Sequence, residues 1–315
     1  MHPYSDRVRV GVVGPGYIGV RHIEAWRHLD VTLHGYARSA SRHAEVAAAY
    51  PEVTWHPSVA GLLAAVEVID VCTPTDAHAD VVLRAASAGR QVVCEKPLAR
   101  TLGEADAMIT ACAAAGVQLF VAHLGRYAAG YAAARQAVVD GEVGEPTELR
   151  LYRGGAAPGW ASWFDDPARS GGVLLDLGIH DIDFARWIAG DVIDVTGAMT
   201  GPGRGRAILT HAGGARSAVT AEWGAAGLPF RTSFEIIGTA GELTYDSVTD
   251  PAGLATDPMV EMLGEFRAAM RGGPPPRITV ADAQAALRVA LAAADDAADS
   301  AEGSGQHASA HRIGT

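Results

Sequence analysis

Lysine is nearly missing from this sequence. Of its 25 basic residues one is a lysine, Lys96, and the other 24 are arginines. Basic charge as a whole is short as well: 36 acidic residues leave a net charge of −11, which excludes a general affinity for nucleic acids or anionic membranes. Cysteine is scarce. Cys72, Cys94 and Cys112 cannot build a disulfide framework, and their spacing fits no zinc or redox motif. No apolar run approaches the ~20 residues that cross a bilayer, and the start of the chain lacks the apolar stretch of a signal peptide. The expectation is a cytoplasmic chain with neither nucleic-acid nor membrane partners. What is present is core material: 49% hydrophobic against 19% charged residues excludes disorder of the whole, and 315 residues suit two domains.

The first 122 residues alternate strand-like and helix-like patterns. Strands read at 8–13, 31–36, 53–55, 66–72, 91–94 and 118–122, with helices between most of them. That rhythm predicts an α/β domain with a doubly wound parallel sheet. From 123 to 300 the rhythm changes. Helices at 128–139 and 174–188, with a strand at 147–153 between them, precede strands at 192–199, 207–211, 217–223, 232–237 and 242–245, and a helix at 281–300 closes the segment. Strands in series predict an α+β domain with a largely antiparallel sheet. Residues 301–315 read as a flexible polar tail.

Gly14-Pro15-Gly16-Tyr17-Ile18-Gly19 lies between the first strand and the first helix. In G-x-G-x-x-G the first glycine makes a tight turn and the second lets a pyrophosphate approach the backbone. The third lets helix and strand close, and the anion rests on the free N–H groups of the helix start. After the second strand, dinucleotide sites that take NAD carry an acidic residue for the ribose. This chain reads Ala37-Arg38-Ser39, with Arg42 nearby, and its Asp30 comes too early. Arg38 offers a planar cation for a 2′-phosphate and Ser39 a hydroxyl. NADP(H) is therefore the favoured cofactor and NAD(H) the alternative.

Lys96 follows Glu95 at the end of a predicted parallel strand, the edge along which open α/β sheets bind ligands. Thr73, Pro74 and His78 mark the neighbouring strand end, and with Glu95 they are assigned to the cofactor side. On a regular helix, with about 100° per residue, Asp176, His180 and Asp183 fall within roughly 60° of one another. Two carboxylates and an imidazole on one stripe suit proton transfer; no metal is expected, since no further His or Cys lies near in sequence. Arg126, Arg153, Trp163 and Asp183 are candidate substrate residues, with Tyr152, Trp160, Asp165 and Asp166 as further candidates for the pocket wall.

These residues together resemble the glucose–fructose oxidoreductase/inositol dehydrogenase (Gfo/Idh/MocA) family. The Gly14–Gly19 loop, Glu95-Lys96-Pro97, Ser170-Gly171-Gly172 leading to Asp176-x-Gly178-x-His180, and Ile236-Ile237-Gly238-Thr239-Ala240-Gly241 carry the resemblance. It implies a Rossmann domain followed by an open, largely antiparallel sheet, and homodimers or homotetramers formed through that sheet. It also implies reversible CH–OH/C=O interconversion on a sugar, inositol or related polyol. Lys96 takes the place of the family's catalytic lysine, Asp176 of its substrate-orienting aspartate and His180 of its acid/base histidine. Two positions depart from the pattern: Val173 stands where a third glycine is frequent, and Ala37 where NAD-using members have an acid. Two alternatives stay open: a redox-cycling glycoside hydrolase, and a non-catalytic dinucleotide sensor.

Overall fold

The computed structural model describes residues 7–159, 162–250, 257–302 and 311–313. They divide into two compact units, 1–122 with 255–280 and 123–254 with 281–315.

The first unit is built on six parallel strands: β1 (Val8–Val13), β2 (Val31–Tyr36), β3 (Thr54–Trp55), β4 (Val68–Val71), β5 (Gln91–Glu95) and β6 (Leu119–Ala122). Their order is β3-β2-β1-β4-β5-β6, so the chain reverses its direction of travel between β1 and β4. β4 and β6 are buried along their whole length, and apart from Asp70 in β4 their residues are apolar. The crossovers are α1 (Tyr17–Arg27), α2 (Ala40–Ala49), α3 (Val59–Ala65), α4 (His78–Ser87) and α5 (Leu102–Ala114). Their starts are fixed by side chains the sequence supplies. Ser39 caps α2, Ser58 caps α3, and Thr101 with Glu104 forms a reciprocal capping box on α5.

The second unit opens with α6 (Ala129–Val139), the long strand β7 (Pro146–Ala156) and the short α7 (Pro167–Ser170), then α8 (Ile179–Ala189). β8 (Val192–Gly201), β9 (Arg204–His211), β10 (Arg216–Gly224), β11 (Arg231–Gly238) and β12 (Glu242–Asp246) follow in series, with β7 inserted between β10 and β11. The seven-stranded order is β12-β11-β7-β10-β9-β8-β13, antiparallel except for the β7–β10 pair. Burial alternates along β9, β10 and β11, so one face is covered and the other is open. No helix among the described residues is long and apolar enough to cross a membrane.

Three expectations change. α9 (Pro258–Met270) falls in the range assigned to the second domain, yet it packs on the first unit. Phe266 stacks on Phe120 at 5.1 Å, and Arg21 reaches Asp257 at 3.6 Å. Helical periodicity shows that a face is apolar but not which sheet it covers. The expected helix at 174–188 begins as a π turn, Leu174–Gly178, before α8. The expected flexible tail contains structure: α10 (Val280–Glu302) runs into it, and β13 (His311–Arg312) pairs with β8. Residues 303–310 and 314–315 lie outside the described residues.

Candidate active site

The glycine loop leaves β1 beside the β1/β4 reversal, where open α/β sheets bind their ligands. Gly14 has φ +85°, and its N–H bonds the Tyr36 carbonyl at 3.2 Å. A Cβ on Gly19 would stand 2.4 Å from the Gly14 carbonyl oxygen, so only glycine lets α1 start this close to the loop. Gly16 differs, because a Cβ there would meet nothing within 4 Å. The start of α1 is thus uncovered, and no side chain caps it. A helix start without a side-chain cap is a place where an anion such as a pyrophosphate can rest. Tyr17 is exposed and Ile18 half-buried at its edge.

Arg38 is exposed between β2 and α2. The Ser39 hydroxyl is occupied as the α2 cap, accepting the Arg42 N–H at 3.3 Å and bonding Ser41 at 2.7 Å. Arg42 is tied down too, donating from Nε to the Pro15 carbonyl at 2.6 Å and from the guanidinium to Glu45 at 2.6 Å. Arg42 therefore braces the glycine loop and Ser39 caps α2, while the third residue expected to read a phosphate, Arg38, is exposed.

Lys96 is half-buried just beyond β5. Thr73 and Pro74 leave β4 and lead through a 3-10 turn, Thr75–Ala77, into His78. His78 and Glu95, expected on the cofactor, turn inward instead. His78 is 1% exposed; its Nε2 faces the Thr73 carbonyl at 2.9 Å and its Nδ1 faces those of Pro97 at 3.0 Å and Leu98 at 3.3 Å. Burial holds this imidazole below the usual histidine range, and the single N–H of the neutral ring serves the carbonyls on one of its two sides. Glu95, 9% exposed, is placed 3.1 Å from His22 and accepts the Lys96 backbone N–H at 2.9 Å. Both residues hold strand ends in place.

In the second unit Asp176 sits in the π turn, 4% exposed, and accepts the Trp223 indole N–H at 3.3 Å. His180 lies in the first turn of α8, half-buried. The expected stripe does not extend to Asp183. The π turn spaces its residues as i→i+5, which shifts the register before α8 begins. Asp183, 1% exposed, takes a two-pronged bond from Arg126 at 2.7 and 2.9 Å, while Arg153 donates to Asp181 at 2.8 Å and to the Tyr131 hydroxyl at 3.0 Å. Arg126, Arg153 and Asp183 are thus interior ion pairs that anchor α8, a correction to their assignment as substrate residues. Buried charges persist in this form because each has a partner.

Tyr152 and Arg153 cannot share one wall, since neighbours on a strand face opposite sides. Tyr152 donates to Glu222 at 3.2 Å on the open face. Asp166 caps α7 through the Ala168 N–H. Trp163 is half-buried and stacks on Phe164 at 3.9 Å, and Phe164 meets Trp223 edge-on at 6.3 Å. Trp160 and the Asp165 side chain lie outside the described residues. Sequence reasoning missed Trp223, the partner of Asp176, and His22, the partner of Glu95. His22 carried a signal: with Gly19, Ile23 and Trp26 it forms the i, i+3, i+4, i+7 buried stripe of α1.

A family model described as "Oxidoreductase family, NAD-binding Rossmann fold" matches residues 8–123, and one described as "GFO/IDH/MocA C-terminal domain" matches 131–244. Among curated proteins, a myo-inositol 2-dehydrogenase of Thermotoga maritima is 32% identical over 198 residues, 59% of this chain and 56% of that protein. A D-apiose dehydrogenase of Paraburkholderia graminis is 30% identical over 251 residues, 75% of this chain and 67% of that one. The match to the first of these spans little more than half of its length. Among solved structures, GenD2 from gentamicin A biosynthesis in complex with NAD superposes with a TM-score of 0.87 over 100% of both chains at 24% identity, a likeness of fold.

Proposed function

The chain belongs to the Gfo/Idh/MocA oxidoreductase family, and on that footing we propose that it interconverts CH–OH and C=O on a sugar, inositol or related polyol, with NADP(H) preferred over NAD(H). One observation carries the reading: an uncapped helix start facing open space at Gly16, on the strand-end edge that also bears Lys96. The NADP(H) preference rests on exposed Arg38 beside Ala37, where no carboxylate would repel a 2′-phosphate.

The nicotinamide, when bound, supplies a hydride acceptor or donor. In oxidation His180 takes the hydroxyl proton as the carbon loses hydride and the C=O bond forms; in reduction it returns the proton. Lys96 relays that same proton between the substrate oxygen and His180, and its charge stabilises the alkoxide that develops. Asp176, oriented by the Trp223 N–H, accepts a substrate hydroxyl. Trp163 offers an apolar ring face to the sugar. The open sheet face, with Arg150, Arg204, Arg206 and Arg231 set among Glu235 and Asp246, meets a second copy in a homodimer or homotetramer. Three free cysteines suit a reducing cytoplasm.

The test is a panel of inositols, pentoses and hexoses with NAD+ and NADP+, followed by nicotinamide absorbance, with wild type and Lys96→Arg side by side. Arginine keeps the charge but not an exchangeable proton, so turnover falls by about 100-fold or more while cofactor binding persists. Near wild-type turnover in the variant overturns the proton role. Hydrolysis without net nicotinamide reduction would identify a redox-cycling hydrolase, and binding without turnover on any substrate a sensor.

A further inference from the structure

The first unit holds a chain of ionisable groups that the proposed reaction does not use. Trp26 donates its indole N–H to Asp70 at 2.7 Å, and His22 Nδ1 lies 2.8 Å from the same Asp70 oxygen. His22 Nε2 lies 3.1 Å from Glu95 Oε1, and Glu95 Oε2 accepts the backbone N–H of Lys96 at 2.9 Å. His22 and Asp70 are 0% exposed. A neutral imidazole has one N–H for two carboxylates; an imidazolium has two, and satisfies both. Burial by itself disfavours that charge, but Asp70 outweighs it and holds His22 well above the usual histidine range. His22, Asp70 and Cys72 also lie close enough to share a metal, but the His22–Asp70 distance is that of a hydrogen bond and the Trp26 N–H occupies the same carboxylate oxygen.

Ionisable groups buried between α1 and the parallel sheet are costly unless something requires them, since apolar residues of the same volume would pack as well. The chain ends on the backbone of the one lysine in the sequence. We propose that Asp70–His22–Glu95 is a positioning device for Lys96: it locks the Glu95 carboxylate, which in turn fixes the peptide from which the Lys96 side chain leaves β5. The inference rests on the catalytic reading of Lys96 for its purpose but not for its test. His22, Asp70 and Glu95 are positioning residues; none of them needs to touch the substrate.

The sole lysine makes the test direct. Full-length protein grown on lysine labelled with carbon-13 at Cε gives one lysine resonance in a carbon–proton correlation spectrum. His22→Gln and Glu95→Gln should each move that resonance beyond its linewidth towards the position of a free lysine. The double variant should move it no further than the larger single shift, because both act through one chain. His34→Gln, which breaks a separate, partly buried histidine pair in the same unit, should leave it in place. Trp26→Phe removes one bond from the far end of the chain and keeps the charges; it should give a smaller shift of the same sign, and serves if the charge variants do not fold. Folded variants, checked by circular dichroism, that keep the wild-type lysine resonance would overturn the proposal, as would additive shifts. Activity is not used. A lysine that moves with His22 but can become arginine without loss of turnover would sink the catalytic reading alone; a catalytic lysine indifferent to His22 and Glu95 would sink this inference alone.

Discussion

Replacing Gly16 by alanine separates cofactor binding from folding more cleanly than any other change in the glycine loop. Gly16 has φ −73° and ψ −157°, an extended conformation that alanine adopts, and the added Cβ meets no atom within 4 Å. The free protein should therefore be unaffected or gain about 0.4–1 kcal/mol through the reduced entropy of the unfolded chain. The methyl group would stand in the space that a pyrophosphate must enter to reach the N–H groups of α1. Hydrogen bonds to a charged group are worth about 1.5–3 kcal/mol each, so losing one weakens NADPH roughly 10- to 150-fold, at 1.4 kcal/mol per factor of ten. The assay is a pair of titrations: Kd by nicotinamide fluorescence, and melting temperature with and without ligand. An unchanged Kd would refute the placement of the pyrophosphate. A melting point several degrees lower without ligand would refute the claim of open space.

Gly19→Ala should do the opposite. Its Cβ would press on the Gly14 carbonyl and the Cys72 side chain, and overpacking against backbone should cost about 1–3 kcal/mol, read as a lower melting point without ligand. His22 is held above its unfolded value of about 6.5, so its contribution to stability is complete below that pH and fades as pH rises through the folded value. The stability gap between wild type and His22→Gln should be widest near pH 6 and narrow in alkali; a gap that widens with pH would contradict the imidazolium. Trp223→Phe removes the one N–H seen on Asp176 from this strand. At about 1.5–3 kcal/mol for a bond to a charged group, kcat/KM should fall at least tenfold with cofactor Kd unchanged, and a loss of cofactor affinity would show that the indole acts elsewhere.

The doubly wound sheet was legible because parallel strands buried on both faces appear as short apolar runs, and the helices between them begin on Ser39, Ser58 and Thr101, which declare their caps. The glycine loop was legible because its geometry is local. What escaped was long-range. Arg126 finds Asp183 57 residues away, and Arg153 finds Asp181 28 residues away; a buried ion pair leaves no mark in sequence that separates it from two pocket charges. The same ambiguity made His78 and Glu95 look like ligand contacts, when burial turns their polar atoms onto neighbouring strand ends. The π turn at Leu174–Gly178 is written in no periodicity, and it moved Asp183 off the stripe expected with Asp176 and His180. His22 was there to be found, as a polar residue in the middle of the apolar stripe of α1.

The most direct test of the functional account is a thermal-shift titration of nucleotide-free protein with NADPH and NADH in parallel. At 100-fold over Kd a ligand that binds only the folded state adds about 2.7 kcal/mol. The account predicts that NADPH reaches this stabilisation at a lower concentration than NADH, and that Arg38→Ala removes the difference. Stabilisation by NADH alone would overturn the assignment of Arg38 while leaving the fold and the chemistry in place. No stabilisation by either nucleotide would contradict the account at its centre.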